Sequence, residues 1–264
     1  MSHHDISAEI DRQAYTNAIA KNSPMTKIFF ALSSLIISVS APTPIVPAVI
    51  FIINAVLLLS LAKVPAKFFL HLLEYPTLAL TLSVLIIALF FGFGETITQI
   101  TLPWFTWSIY QNGITMAVAT FFRVEGAISS TFFLVLTTPI SDIFVTLRRI
   151  KMPKVLIEMS LLIYRYIFVF MEVFATMKTA QNLRLGHSSL MRRIRSAALL
   201  AGNLFIRTLE QGERTFTAMS ARGYDGNIRL LEDLPRPRKS AIAGIIIFDA
   251  VFVIAIFLLI DFGV

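Results

Sequence analysis

Residues 241–261 read AIAGIIIFDAVFVIAIFLLID, an apolar run whose only charged positions are Asp249 and the terminal Asp261. As a helix rising 1.5 Å per residue, a run of this length covers about 30 Å, the thickness of a bilayer's hydrocarbon core. It is read as a membrane-crossing helix. Working back along the chain, four more stretches have the same character, at about 24–41, 45–62, 77–93 and 113–137. The composition agrees, with 56% hydrophobic and 15% charged residues and a mean hydropathy of +0.75. The fold class expected is an all-α integral membrane protein with about five transmembrane helices. The chain has no cysteine, which excludes disulfides and every thiolate-dependent catalytic or metal site.

Local signals place the span ends. Ser23-Pro24 supplies an N-cap residue followed by proline at the first helical position. Pro42, Pro44 and Pro47 force a tight turn into the second span. Between the third and fourth spans, Gly94 to Asn112 carries Trp104, Trp107 and Tyr110, amphipathic rings that favour a membrane interface. The first 26 residues are polar, with Asp5, Glu9, Asp11, Arg12 and Lys21, and lack the pattern of a secretory signal. A retained, cytosolic N-terminus is expected.

Charge sets the orientation. Of 23 Lys and Arg, Arg12, Lys21 and Lys27 lie near the N-terminus, Lys63 and Lys67 in the 63–76 loop, and 17 in residues 146–240. Arg123 falls within the fourth span, and the loops 42–44 and 94–112 carry none. The positive-inside rule then puts the N-terminus and block 146–240 in the cytosol and the C-terminus outside, in a cell (inner or cytoplasmic) membrane. That bias accounts for the net charge of +7 without nucleic acid.

Block 146–240 is too long for a connecting loop, and the chain divides into a cytosolic segment 1–23, a four-span region 24–145, this block, and a fifth span in 241–264. Apolar residues recur at Ile163, Tyr166, Phe170, Val173, Met177 and Ala180, and again at Phe205, Leu209, Gly212, Phe216 and Met219, at helical spacing. Two long amphipathic helices are expected, about 30 and 22 residues, crossing on these edges, with Gly212 permitting close approach. Glu210 and Arg214 form a favourable i,i+4 pair on the opposite face. The first helix closes with Arg184 before Gly186, the second with Ala221-Arg222-Gly223. Glycine past a helix end supplies a left-handed stop, and arginine in the last turn meets the negative pole of the helix. Two such ends suggest a paired docking surface, each guanidinium offering a planar fork to carboxylates on another protein.

Within the spans, Arg123, Glu125 and Asp249 are expensive in lipid and call for partners. Glu125 cannot face Arg123, because two helical residues separate them by about 200°. A competing reading of a different class makes these three the machinery of an intramembrane enzyme. The chain has no P-loop, no His-Glu-x-x-His helix and no Gly-x-Ser-x-Gly elbow. His3-His4 is read as a solvated terminus, and His71 and His187 are assigned no role. No catalytic, cofactor or metal residue is assigned to the chain.

Several segments together resemble a known family. Ile10-Asp11, Leu136-Thr137-Thr138-Pro139, Leu147 to Pro153, Tyr164 to Phe168 and Ala218 to Tyr224 look like the transmembrane coupling (T) component of energy-coupling-factor importers of the ATP-binding-cassette class, most closely the cobalt/nickel, CbiQ-type form. The resemblance implies crossed coupling helices whose Ala-Arg-Gly-like tips each sit in a groove on one of two ATPase subunits. It implies a mechanical role between those ATPases, which hydrolyse ATP with Mg²⁺, and a separate substrate-binding (S) membrane subunit. Ala221, Arg222 and Gly223 match the motif; at the first tip Leu185 intervenes between Arg184 and Gly186. Cobalt or nickel is the implied cargo, with the same role in a vitamin importer as the alternative.

Overall fold

The computed structural model describes residues 3–92, 96–102, 105–183, 189–226, 235 and 237–261. It divides into two compact units: Met1–Ile143 with Asp233–Val264, and Phe144–Glu232. The first unit contains α1 (His3–Thr16), α2 (Pro24–Ser40), α3 (Ile45–Val56), α4 (Ala66–Phe90), α5 (Gln111–Thr137) and α9 (Lys239–Asp261). A single π-helical turn, Leu57–Leu61, continues α3. The second unit is built on α7 (Lys154–Leu183) and α8 (Leu190–Ala221), and α6 (Ile140–Arg149) contains the boundary between units.

The fold is that of a helical membrane protein. Three helices, Ala66–Phe90, Gln111–Thr137 and Lys239–Leu259, are long and apolar enough to cross a bilayer, and two shorter apolar helices cover Pro24–Ser40 and Ile45–Leu61. These five fall where the five apolar stretches stood in the sequence. The third begins earlier than expected: the residues read as a 63–76 loop are helical from Ala66, and Pro76 lies inside α4. Membrane helices tolerate an interior proline because neighbouring groups re-satisfy the freed backbone. Residues 96–102 and 105–110 form an antiparallel strand pair that the sequence analysis did not anticipate, β1 (Thr96–Leu102) with β2 (Phe105–Tyr110), with an irregularity between Thr96 and Thr98. Its β1 sequence, TITQITL, is rich in β-branched residues. Trp104 lies outside the described residues.

α5 is the axis of the first unit, with α1, α2, α3 and α4 packed against it, while α9 lies on α2 and α3. The arrangement inverts a water-soluble protein. Ser34, Ser38, Asn54, Ser129, Ser130 and Thr137 are fully buried, while Ile36, Leu78, Leu82, Ile246 and Phe257 are more than half exposed. Lipid is as apolar as leucine, so helices in it associate through close packing and hydrogen bonds between small polar residues. Asn54 Nδ2 donates to Ser129 Oγ at 3.2 Å and Ser130 Oγ at 3.0 Å, and Ser34 Oγ donates to Ser130 Oγ at 3.1 Å. Gly126 makes the approach possible: a Cβ there would stand 2.1 Å from Ser38 Oγ and 2.9 Å from the Pro47 carbonyl oxygen. The apolar core is small, with Ala31, Leu58, Phe69, Phe133 and Leu136 in one cluster and Ile37, Ala41, Val46 and Ile50 in another.

Candidate functional site

In the second unit Pro153 precedes α7, accepting the Leu156 N–H at 3.1 Å. Ser189 caps α8 by accepting the Arg192 N–H at 3.4 Å. Side-chain bonds join these helices at several levels. The Tyr224 hydroxyl donates to Glu158 Oε2 at 3.1 Å, the Tyr166 and Thr215 hydroxyls meet, and Gln181 Nε2 donates to the Ser196 carbonyl at 3.0 Å. Residue numbers fall along α8 as they rise along α7, so the pair is antiparallel. The C-terminal ends of the helices therefore lie at opposite ends of the pair, separated by about 35–40 Å along the axis from the level of Glu158 to Leu183.

The end of α8 is built atom by atom. Arg222 is the C-cap residue, with φ −92° and ψ 10°, and Gly223 follows with φ +78°. The Tyr224 N–H reaches the Met219 carbonyl at 3.1 Å and the Gly223 N–H reaches that of Ser220 at 3.0 Å. This is the paired-bond glycine stop that satisfies carbonyls a helix would otherwise leave open. A side chain at Gly223 would meet no atom within 4 Å, so only the left-handed backbone selects glycine there. Tyr224 then turns back to bind Glu158 on α7, which fixes the exit of the chain. Loss of solvent, and then the bond to the Glu158 carboxylate, hold the Tyr224 phenol above its ordinary titration range.

Arg222, flanked by Ala221 and Gly223, is left exposed at the tip. Among the described residues no carboxylate pairs with it. Its planar fork of N–H groups is free for an acidic partner and sits at the negative pole of a 32-residue helix. Arg184, Leu185, Gly186 and His187, the counterpart at the end of α7, lie outside the described residues.

The helix-crossing expectation for α8 needs correction. Phe205, Leu209 and Phe216 are 65%, 55% and 64% exposed, and a Cβ on Gly212 would touch nothing within 4 Å. Gly212 is not at a helix crossing among the described residues. The covered stripe of α8 is instead Ser196, Leu200, Leu204, Thr208, Gln211, Thr215 and Met219, so Met219 alone of the proposed edge faces inward. The Thr215 hydroxyl and the Ser196 backbone carbonyl make the hydrogen bonds to α7, and the more apolar edge faces outward. On α7, Phe170, Val173 and Met177 line a groove of about 680 Å³ with Ile206, Arg207 and Glu210 of α8. Arg214 stands 3.9 Å from Glu210, as their spacing suggested.

The three intramembrane charges serve separate places. Arg123 donates Nε and Nη2 to the Ala41 carbonyl at 3.1 and 2.8 Å, placing its charge on the C-terminal end of α2. Glu125 is 4% exposed and accepts from Thr77 Oγ1 at 2.7 Å, and its other oxygen has no partner among the described residues. Asp249 lies on α9 with Oδ1 likewise unpartnered. No hydrogen bond or ion pair joins the three among the described residues, so the geometry for a shared intramembrane reaction is not assembled. His71 Nδ1 stands 3.4 Å from Glu74 on the exposed side of α4. The side chains of His3 and His4 fall outside the description.

The sequence reading missed two polar anchors. Asn17 Nδ2 donates to the Leu136 and Thr137 carbonyls at 3.2 and 3.4 Å, and Lys27 Nζ donates to Thr137 at 2.7 Å. Together they satisfy two of the last carbonyls of α5, which a helix end leaves open. The other is the Tyr224–Glu158 bond. A tyrosine directly after a glycine stop was its available signal.

A multi-pass helical membrane protein with an antiparallel helix pair ending in an exposed arginine is the class that fold and site define. The profile of the cobalt transport protein family, CbiQ, matches residues 16–232. The chain belongs to that family. An uncharacterised protein of Methanocaldococcus jannaschii is 41% identical over 253 residues, 96% of this chain and 94% of that one. The cobalt transport protein CbiQ of Rhodobacter capsulatus is 30% identical over 251 residues, 94% of this chain and 97% of its own length. That of Salmonella typhimurium is 34% identical over 122 residues, 46% of this chain and 54% of its own.

Proposed function

We propose that this chain is the coupling subunit of an energy-coupling-factor importer for cobalt, with nickel as a second cargo. Two ATPase subunits bind the C-terminal ends of α7 and α8, near Arg184 and at Arg222. Closure of the ATPases on ATP moves those ends, and the helices carry the movement to a separate substrate-binding membrane subunit. ATP and its Mg²⁺ belong to the partner ATPases; the role of this chain is mechanical, with no catalysis of its own. The N-terminus and the α7–α8 pair face the cytosol and the C-terminus lies outside, following the Lys and Arg distribution.

The observation that carries the reading is the Arg222 tip. A backbone stop at Gly223 and the Tyr224–Glu158 bond fix it from behind, while among the described residues its guanidinium has no carboxylate partner. An antiparallel pair also suits two separate ATPases, because it puts its two C-terminal ends far apart. Long helices transmit a push well when they lack internal breaks, and α7 runs 30 residues with no glycine or proline. The exposed Phe205, Leu209 and Phe216 edge offers a greasy face through which a membrane partner can be moved.

The test is co-expression with the two ATPases. Arg222→Glu should leave insertion and yield of this chain unchanged and reduce ATPase co-purification at least tenfold, since a buried charged pair becomes a repulsion. Normal co-purification of that variant removes the docking role.

A further inference from the structure

Asp249 lies near the midpoint of α9 (Lys239–Asp261), about 15–18 Å of helix from either end, where a polar group costs most in lipid. Its carboxyl group makes no hydrogen bond or ion pair among the described residues. The helices that pack on α9, α2 and α3, are described throughout, and neither supplies a donor to it. Lys27 on α2 and Arg123 on α5 are committed elsewhere, to the Thr137 and Ala41 carbonyls. Oδ1 is covered, but the residue as a whole is half-buried, so the carboxyl stands at the rim of the α9 seam and its other oxygen keeps accessible surface. An intramembrane carboxyl placed in this way calls for a donor from outside the chain.

The face concerned follows from helical position. Phe252, Ala255, Ile256 and Leu259 turn toward the Ile37, Ala41, Val46 and Ile50 cluster of α2 and α3. Ile242, Ile246, Val253 and Phe257, at offsets of seven, three, four and eight residues from Asp249, share its side of α9 within about 80° and are exposed. They form an apolar edge with one acid at its centre. Lipid cannot complete this edge, because acyl chains at that depth carry no donor. A second copy of the chain meeting it edge to edge would set Asp249 against Asp249, acid against acid. A helix of a different membrane protein with a basic side chain at its centre fits both parts: its cation meets the carboxyl, and apolar residues above and below pack on the isoleucines. We propose that the Ile242–Phe257 edge of α9 docks a transmembrane helix of the substrate-binding subunit through a basic residue opposite Asp249. The identity of that subunit rests on the coupling role proposed above, and the edge gives it a contact inside the bilayer.

The test uses this chain co-expressed with the two ATPases and the substrate-binding subunit. A photoreactive benzophenone side chain at Val253 should cross-link to that subunit, and the same label at Ile247, on the far side of α9, should not. Asp249→Leu should lower retention of the subunit about 30-fold and leave ATPase retention unchanged. It should also leave the thermal transition of the isolated chain no lower, since an unpaired carboxyl gives way to an apolar side chain. Asp249→Asn keeps the shape without the charge and should lower retention about tenfold. Undiminished retention in Asp249→Leu, equal cross-linking from Val253 and Ile247, or a Val253 cross-link to a second copy of this chain would overturn the proposal. So would a lower thermal transition in Asp249→Leu, which would make the acid structural, and retention by Asp249→Asn at the parent level would overturn the basic partner. Because the ATPases are read at Arg222 and the membrane subunit at Asp249, the two readings fail separately: loss of the subunit with the ATPases retained belongs to this edge alone.

Discussion

The membrane unit and the α7–α8 unit solve opposite problems. Around α5, serine, asparagine and glycine are buried and large apolar residues face outward, so helices are held by close contact and by hydrogen bonds that lipid cannot replace. In the α7–α8 pair the seam is narrow, Leu200 is the only α8 residue fully covered, and the apolar edge looks outward. One unit is sealed against its surroundings. The other keeps its most adhesive surfaces for something else, as a part that is gripped at its ends should.

Glycine substitutions break this contrast most directly. Gly126→Val should be the most damaging, costing more than about 3 kcal/mol, because the new atoms collide with Ser38 and with the backbone at Pro47. Loss of a monodisperse species in detergent would report it, and a normal thermal transition would show the packing to be looser than described. Arg123→Met should follow, at about 2 kcal/mol, since it strips the Ala41 carbonyl of both donors within the membrane. Gly223→Ala should cost about 1 kcal/mol through the positive φ alone. Gly212→Ala should be neutral or stabilise the isolated chain by up to about 1 kcal/mol, because it sits in an open helix face with nothing nearby. If Gly212→Ala destabilised the isolated chain as much as Gly126→Val, the two units would not differ in the way described. The smallest effect is expected for Tyr224→Phe, which should keep the fold and raise amide exchange just after Ala221.

What the sequence disclosed follows the same division. The five apolar helices were legible because lipid demands about 20 uninterrupted apolar residues and tolerates few charges. α4 was misplaced at its start because Lys67, His71 and Glu74 make its first turns polar, and the β1–β2 hairpin went unread although TITQITL carried β-branched residues. The Arg222 tip was legible in Ala221-Arg222-Gly223, where glycine and arginine each have a physical reason to stand. The face of α8 was not. Hydrophobic period reveals that a helix has a greasy edge, but the edge that meets α7 is the one where the Thr215 hydroxyl bonds Tyr166 and the Ser196 backbone carbonyl accepts from Gln181. Long-range polar anchors such as Asn17 and Lys27 on the end of α5 join residues more than 100 positions apart, beyond the reach of any local pattern.

The chain contains no cysteine, so two introduced cysteines are the only attachment points for spin labels. Labels at Asn182 and Ala218, near the two helix ends, would report their separation in the complete complex with its ATPases. The account predicts a distance distribution that shifts by several ångströms between the nucleotide-free and ATP-bound states, and that no longer shifts when Arg222→Glu is added. A distribution that ignores ATP in the assembled, transport-competent complex would contradict it.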